Sequence, residues 1–209
     1  MKRRVFLCLA FAMTSVALGD EKGEFSQLFD GKTFAGWEGN LSMFRIVDGA
    51  IVAGNLKEAI PHNDFLCTKE KFEDFELRLK AKLIGDGDNA GIQFRSKRQA
   101  DHHEVIGYQC DMGSAFDGKV WGALYDESRR RKMLAEPDQA QLLRVLKEGD
   151  WNQFVVRCEG KRIRIWLNDL LTVDYQEKED VATTGIIGLQ IHGGKPAEAW
   201  YKDIQIKRL

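Results

Sequence analysis

The sequence predicts an all-β fold, a two-sheet antiparallel jelly-roll β-sandwich with one short helix at most. Apolar and polar residues alternate with a period of two through most of the chain, and Gly, Asp and Asn interrupt the alternation at short intervals. No series of helices alternates with the strands, as it would in an α/β protein. Twelve Phe and five Trp are enough to fill the space between two sheets.

Individual strands are predicted by the side on which their apolar residues fall. In residues 75–83 the odd-numbered positions are apolar and the even-numbered positions are charged, so one face packs on a core and the other is solvated. Residues 162–167 alternate similarly and end at Asn168-Asp169, which predicts a hairpin turn into residues 170–175. The one segment with helix-like spacing is residues 139–146.

The amino terminus has the pattern of an export signal, predicted over residues 1–19. Basic residues at positions 2–4 precede an apolar run over residues 5–16, and Ala17-Leu18-Gly19 forms a small-x-small cleavage site. The alternative is a buried N-terminal strand. The apolar run is too short for a comfortable membrane span. We therefore expect an exported protein, periplasmic or secreted, with no membrane anchor after signal removal and one domain over residues 20–209.

Charge and cysteine content limit the classes of partner. Removing residues 1–19 leaves 28 basic against 32 acidic residues, a formal charge of −4, which argues against nucleic acid as a partner. Cys67, Cys110 and Cys158 remain, and one disulfide with one free thiol or three buried thiols are both consistent with the sequence. The spacing of Cys residues predicts no zinc site, and no metal or cofactor is assigned. The sequence does not determine the oligomeric state.

Four segments place polar side chains on the side opposite their apolar residues, next to glycines. These candidate ligand-binding side chains are Gln93, Arg95, Gln109, Asp111, Trp121, Tyr125, Glu127, Gln190 and His192. If the segments are neighbours in a curved sheet, they form a concave surface suited to a small sugar or glycoside. Sugar hydroxyls need directional donors and acceptors, and the apolar sugar face stacks on Trp or Tyr. The alternative is an ordinary solvent-exposed sheet face.

An ordered set of short motifs extends over about residues 25–209. The set consists of residues 28–33 with Gly36-Trp37, residues 44–51, 72–77, 89–95, 149–152, 166–168 and 185–192, and the final strand at 203–206. It resembles the 3-keto-disaccharide hydrolase family, also known as 3-keto-glucoside 1,2-lyase/hydratase domains. The resemblance implies a concanavalin A/laminin-G-like sandwich. The chain departs from the commoner family pattern at residues 107–111, where the usual Tyr-Glu-x-Gln stretch appears as Gly107-Tyr-Gln-Cys-Asp111 and the carboxylate of that glutamate is absent.

The resemblance implies cleavage of a glycoside oxidised at sugar carbon 3, by abstraction of the C2 proton, 1,2-elimination and hydration. The implied roles are C2 base for His192 or Asp111, enolate stabilisation for Arg95 and Gln109, leaving-group assistance for Glu127 or Tyr125, sugar stacking for Trp121, and sugar binding for Gln93 and Gln190. The basic run at residues 129–132, by itself typical of a solvated loop, then becomes a candidate site rim. The alternatives are a non-catalytic carbohydrate-binding sandwich module and an envelope interaction domain without a sugar ligand.

Overall fold

A computed structural model describes residues 23–115 and 118–209. The predicted export signal lies outside these residues and remains a prediction. In the described residues, sixteen strands and one helix follow one another along the chain. In chain order they are β1 (Ser26–Gln27), β2 (Trp37–Glu38), β3 (Phe44–Val47), β4 (Ala50–Asn55), β5 (Asp64–Thr68), β6 (Phe75–Gly85), β7 (Asn89–Arg98), β8 (Val105–Ala115), β9 (Gly118–Lys119), β10 (Leu124–Glu127), β11 (Lys132–Ala135), α1 (Gln139–Val145), β12 (Asn152–Glu159), β13 (Arg162–Leu167), β14 (Leu170–Gln176), β15 (Ile186–Ile191) and β16 (Ala197–Arg208).

The strands form two antiparallel sheets, which confirms the predicted sandwich. The first sheet has the order β14-β13-β12-β6-β16-β4-β3, with β1 paired to β16. The second sheet has the order β11-β10-β8-β7-β15-β5-β2, with β9 paired to β8. Neighbours in each sheet are often distant along the chain, so that the connections cross between the sheets as in jelly-roll folds.

The hydrophobic core lies between the sheets and is built by the predicted alternation. Along β6 the side chains of Phe75, Leu77 and Leu79 are at most 2% exposed. The Phe75 ring meets the Phe94 ring of the second sheet edge-on, with centroids 6.5 Å apart, and Phe94 stacks on Tyr108 at 5.6 Å. Burying each such side chain contributes roughly 1.5–3 kcal/mol, so these contacts hold the sheets together.

The predicted helix and hairpin turn are both confirmed. Helix α1 begins after Asp138, whose carboxylate accepts a hydrogen bond from the Gln141 backbone N–H at 2.9 Å and caps the helix. Asn168 and Asp169 adopt positive φ values of 46° and 69°, as a two-residue turn between β13 and β14 requires. No helix in the described part of the chain is long and apolar enough to cross a membrane.

An irregularity near the end of β7 rotates Arg95 away from the face that alternation predicts. The pairing of β7 with β8 shifts register after Phe94, and Arg95 adopts a φ of 46°. The Arg95 guanidinium donates to the Glu73 carbonyl at 2.9 Å, the Gly160 carbonyl at 2.7 Å and the Asp74 carboxylate at 2.8 Å. A bulge of this kind bends its strand and redirects one side chain. Arg95 therefore joins the two sheets at their edge.

Beyond this bulge, the β7–β8 hairpin extends across β15 toward β5. Arg98 donates to the Phe65 carbonyl in β5 at 3.1 Å and to the Glu38 carbonyl in β2 at 2.7 Å. At the hairpin tip, the Glu104 carboxylate accepts a hydrogen bond from the Asn63 amide at 3.2 Å. Since β15 lies between β7 and β5 in the sheet, the distal part of the hairpin covers the outer face of β15.

Two arginines of the basic run are anchored in a buried ion-pair network. Asp126 is fully buried and accepts hydrogen bonds from Arg129, at 2.9 Å, and from Arg130. Glu177, 4% exposed, accepts from Arg130 at 2.6 Å and from the Tyr108 hydroxyl at 2.6 Å. The expectation that this run forms a solvated loop or a site rim is wrong for these two arginines, because their guanidinium groups neutralise buried carboxylates.

The three cysteines of the described residues are free and buried. Burial raises the pKa of the Cys67 thiol and of the Cys158 thiol to about 12, and raises the pKa of the Cys110 thiol as well. Of the two possibilities left open by the sequence, the structure has the three buried thiols.

Replacing Arg130 by Met should lower the free energy of unfolding by about 3 kcal/mol, because the buried Glu177 carboxylate loses its ion-pair partner. Arg131→Met is the matched control, since Arg131 is exposed and the same atoms are changed; its effect should stay within about 0.5 kcal/mol. Urea unfolding measures both differences. Equal losses in the two variants would contradict a structural role for the Arg130 ion pairs.

Candidate functional site

A cavity opens on the outer face of the second sheet, the face opposite the core. Its volume is about 200 Å³, smaller than the roughly 300–1,000 Å³ of sites that enclose drug-sized ligands. Its walls are mainly polar and include Asn63, Asn89, Gln109, Asp111, Tyr125, Glu127 and His192. Five of the nine side chains selected from the sequence therefore meet at one cavity.

Strand register brings these side chains together. Tyr125 in β10 lies opposite Gln109 in β8, and Gln109 lies opposite Gln93 in β7. Asp111, two residues beyond Gln109, lies opposite Gly91. Because side chains two residues apart share a face, β10, β8 and β7 present their polar positions side by side. The four candidate segments are neighbours in one sheet, as the sequence analysis required.

A glycine creates the room that Gln109 occupies. A Cβ atom at Gly91 would lie 2.4 Å from Cδ of Gln109, so that the glutamine side chain lies flat over the glycine. From this position the Gln109 amide nitrogen donates to Oδ1 of Asp111 at 2.6 Å. The close approach fixes both polar groups at the floor of the cavity.

Two carboxyl groups face the cavity and keep their protons to unusually high pH. Burial raises the pKa of Asp111 to about 8; the hydrogen bond from Gln109 opposes this rise, and the nearby Glu127 carboxylate adds to it. Burial also raises the pKa of Glu127, and the Glu104 carboxylate behind it raises it further, while a hydrogen bond from Ser128 and the proximity of His192 lower it. Asp111 can therefore exchange a proton near neutral pH, and Glu127 holds its proton to higher pH than an ordinary glutamate does.

Tyr125 and His192 complete the polar wall. Burial, then the charges of Glu127 and Asp111, raise the pKa of the Tyr125 hydroxyl, which stays protonated. His192 is exposed at the cavity mouth, and its Nδ1 lies 2.7 Å from the Gly193 carbonyl oxygen. Since a carbonyl only accepts, Nδ1 carries the proton of the neutral ring and Nε2 is left with a free lone pair.

Arg95 and Trp121 do not reach the cavity, and their predicted contacts with a sugar are wrong. Arg95 is held at the sheet edge by the bulge described above. Trp121 lies in a turn that precedes β10, so the alternation of that strand does not extend back to it. Its side chain is 3% exposed and stacks on Phe154 in the core, with ring centroids 6.1 Å apart.

Gln93 and Gln190 share the face of the cavity residues but are fully buried, at 0% exposure. Neither lines the cavity, which corrects their expected role as direct sugar ligands. The amide oxygen and nitrogen of Gln190 have no hydrogen-bond partner among the described residues. An unsatisfied buried amide is costly, so Gln190 has capacity for a water or ligand that reaches this position.

Two contributors to the site were not predicted from the sequence. Asn63 precedes β5 and accepts a hydrogen bond from the Gly193 backbone N–H at 2.9 Å, which supports the turn that carries His192. Glu104, at the tip of the β7–β8 hairpin, lies behind Glu127. Both belong to loops, where alternation gives no signal, and their placement depends on how the hairpin folds back. No group of three or more His, Cys, Asp or Glu side chains in residues 23–115 and 118–209 is arranged to hold a metal ion.

Comparison with known proteins gives both a family and a set of related folds. The family described as 3-keto-alpha-glucoside-1,2-lyase-like domain matches residues 24–207. No curated protein matches the chain. A structure from Parabacteroides distasonis ATCC 8503, provisionally assigned as a glycosyl hydrolase, is similar at 20% identity, covering 88% of this chain and 94% of that chain, with a TM-score of 0.66.

Two further solved structures share the architecture. A carbohydrate-binding module from Bacillus subtilis is 17% identical, with 82% of this chain and 95% of that chain covered and a TM-score of 0.62. A beta-glucanase from Bacillus licheniformis is 8% identical, with 89% and 98% covered and a TM-score of 0.59. At these identities the likeness shows the sandwich fold.

Replacing Asp111 by Asn should remove a pH-dependent loss of stability. The native carboxyl group keeps its proton up to about pH 8, whereas in the unfolded chain it loses the proton near its ordinary value, so stability falls as pH rises between the two pKa values. The fall is at most about 1.4 kcal/mol per pH unit for one group. The Asn variant should be more stable than the wild type at pH 8, with the difference shrinking toward pH 4.

Urea unfolding between pH 4 and pH 8 measures this difference, and Asp101→Asn, an exposed position, is the control. Parallel stability curves for wild type and Asp111→Asn would show that Asp111 is not buried as described.

Proposed function

The chain belongs to the 3-keto-alpha-glucoside-1,2-lyase-like domain family, and we propose from this premise that its cavity cleaves glycosides that carry a ketone at sugar carbon 3. The observation that carries the proposal is the buried Asp111 carboxyl group, with its raised pKa, at one cavity with the protonated Tyr125 hydroxyl and the Glu127 carboxyl group. Elimination next to a ketone needs one group that removes a proton and another that supplies one, both near neutral pH.

The proposed reaction is an elimination followed by hydration. The C3 ketone acidifies the C2 proton, and ionised Asp111 removes it to form an enolate. The enolate electrons then form the C1–C2 double bond while the bond from C1 to the leaving oxygen breaks, and the Tyr125 hydroxyl, which keeps its proton when Asp111 is ionised, protonates that oxygen. Water adds to C1 of the resulting enone and a proton returns to C2, so the net reaction is hydrolysis. This route avoids the oxocarbenium-like transition state of ordinary glycosidases.

Other cavity residues have supporting roles in this scheme. One N–H of the Gln109 amide donates to Asp111 and the other is free to donate to the developing enolate oxygen. His192, with a free Nε2, is the second candidate for the base, and Glu127 is the second candidate for the acid. Removing each group separately distinguishes these assignments.

The charge of the cavity favours a neutral substrate. The described residues that line the cavity include the carboxyl groups of Asp111 and Glu127, and none of them is Lys or Arg. A phosphorylated sugar or a uronic acid would be repelled by the carboxylates and would find no cation as a partner. We also propose that the protein acts outside the cytoplasm, on the basis of the export pattern at residues 1–19.

A non-catalytic sugar-binding module is the second candidate function. The amide and hydroxyl groups of Asn63, Gln109 and Tyr125 would bind sugar hydroxyls without any chemistry, and a carbohydrate-binding module has the same fold. Such a module needs no proton-transfer groups with raised pKa values, which is why the enzymatic function is preferred.

Incubation of residues 20–209 with a 3-keto glucoside should release the aglycone, whereas the unoxidised parent glucoside should remain intact. Asp111→Asn should lower kcat/KM by about 100- to 10,000-fold, because it removes the base, and Asp101→Asn should leave it unchanged. His192→Ala tests the second candidate base in the same assay. Binding without release from either substrate would overturn the enzymatic proposal in favour of the sugar-binding module.

The wild-type kcat/KM for the keto substrate should rise with pH, about tenfold per unit below an apparent midpoint near pH 8, because Asp111 must lose its proton to act as the base. His192→Ala should keep this rising limb. A limb that disappears in His192→Ala would assign the base to His192 in place of Asp111.

A further inference from the structure

We propose that Ser96 and Gln93 form a hydrogen-bonded relay that determines which end of the Gln109 amide faces Asp111. In this proposal Gln93 is a positioning residue for the Asp111 carboxyl group and does not contact the sugar. The catalytic consequence of the relay rests on the proposed function, in which Asp111 is the base. The relay itself is defined by hydrogen bonds that exist without substrate.

The relay consists of three consecutive hydrogen bonds along the buried polar face. The Ser96 hydroxyl donates to Oε1 of Gln93 at 2.8 Å, and Nε2 of Gln93 donates to Oε1 of Gln109 at 2.6 Å. Nε2 of Gln109 then donates to Oδ1 of Asp111 at 2.6 Å. The four side chains are at most 4% exposed, so water does not compete for these bonds.

The direction of the relay follows from the chemistry of its members. A carboxamide has one accepting end and one donating end, and a buried amide orients itself so that each end finds its complement. Because the oxygen of Gln109 is occupied by the N–H of Gln93, the nitrogen of Gln109 faces Asp111. Reversing the Gln109 amide would bring its carbonyl oxygen against Asp111, which is repulsive once Asp111 has lost its proton.

The Ser96 hydroxyl orients Gln93 in turn. It donates to Oε1 of Gln93, which favours the orientation in which Nε2 of Gln93 faces Gln109, and its oxygen also lies 2.9 Å from the Phe94 carbonyl oxygen. Ser96 lies directly after Arg95, so the bulge that bends β7 also brings this hydroxyl to the start of the relay.

Few other ionisable groups face Asp111, so the hydrogen bond from the relay is the main influence that offsets the effect of burial on its pKa. Glu127 and Tyr125 approach from β10, and His192 approaches from the end of β15. On β7 the facing positions are Gly91 and Asn89, which carry no charge. Of these neighbours, Glu127 opposes ionisation of Asp111, whereas the hydrogen bond from Gln109 favours it. Loss of the relay should therefore make Asp111 hold its proton to higher pH.

The test compares Gln93→Met and Ser96→Ala with Gln153→Met, in which a glutamine on the exposed face of the first sheet undergoes the same change. Titration of ¹³C-labelled aspartate carboxyl groups by NMR gives the apparent midpoint of Asp111 in each protein, and the resonance is assigned by its absence from Asp111→Asn. This readout needs no substrate and no turnover.

In Gln93→Met the Asp111 midpoint should rise by about 0.5 to 1 pH unit, in Ser96→Ala it should rise by less, and in Gln153→Met it should stay in place. With the keto substrate, the rising limb of kcat/KM should move by the same amount, while the plateau at high pH changes little. If Gln93 and Ser96 only supported the structure, their replacement would lower the plateau of kcat/KM and leave the Asp111 midpoint in place.

An unchanged Asp111 midpoint in both Gln93→Met and Ser96→Ala would overturn the relay, as would an equal shift in Gln153→Met. If Gln93→Met fails to fold, the more conservative Ser96→Ala decides by the same criterion. A wild type that titrates as expected but does not release the aglycone would refute the proposed function and leave the relay intact.

Discussion

The bulge at Arg95–Ser96 is the constraint on which the arrangement of the site depends. Arg95 is held in a left-handed conformation, and its three hydrogen bonds to the opposite edge of the sandwich compensate for this backbone strain. The backbone passes so close to the partner strand at this point that a Cβ atom at Gly107 would lie 2.2 Å from the Ser96 hydroxyl oxygen. Only glycine fits there, so the bend is encoded in both strands of the hairpin.

From this bend the chemistry of the cavity follows in steps. The distal part of the hairpin covers the outer face of β15, and this cover removes Gln93 and Gln190 from water. The hairpin tip also places Glu104 behind Glu127, where the Glu104 charge hinders ionisation of Glu127. A face that would be solvated in a plain sandwich thereby becomes a partly enclosed polar site, in which each hydrogen bond is stronger than it would be in water.

The fold could be predicted from the sequence because it depends on alternation, which is a local signal. The strand at Phe75–Gly85, the helix at Gln139–Val145 and the turn at Asn168-Asp169 were all identifiable from short stretches of sequence. The same alternation located Gln109 and Asp111 on one side of β8. Where backbone geometry departs from a regular strand, alternation fails, and this explains the error at Arg95.

Other parts of the site depend on contacts between segments that are distant along the chain, and short sequence patterns do not predict such contacts. The strand containing Tyr125 begins only after a turn, so Trp121 belongs to the core even though the spacing places it with Tyr125. Asn63 reaches the site because β5 is a neighbour of β15, a pairing between segments more than a hundred residues apart. The burial that raises the pKa of Asp111 likewise results from the whole hairpin.

The three buried thiols allow local opening of the structure to be followed by their chemical modification. Cys67 lies on the covered outer face of the second sheet, whereas Cys110 and Cys158 lie in the core between the two sheets. As neutral, enclosed thiols they are poor nucleophiles, and an alkylating reagent must wait for the surrounding structure to open. The rate at which Cys67 is modified therefore reports on opening of the hairpin cover, and the rates for Cys110 and Cys158 report on opening of the sandwich interior.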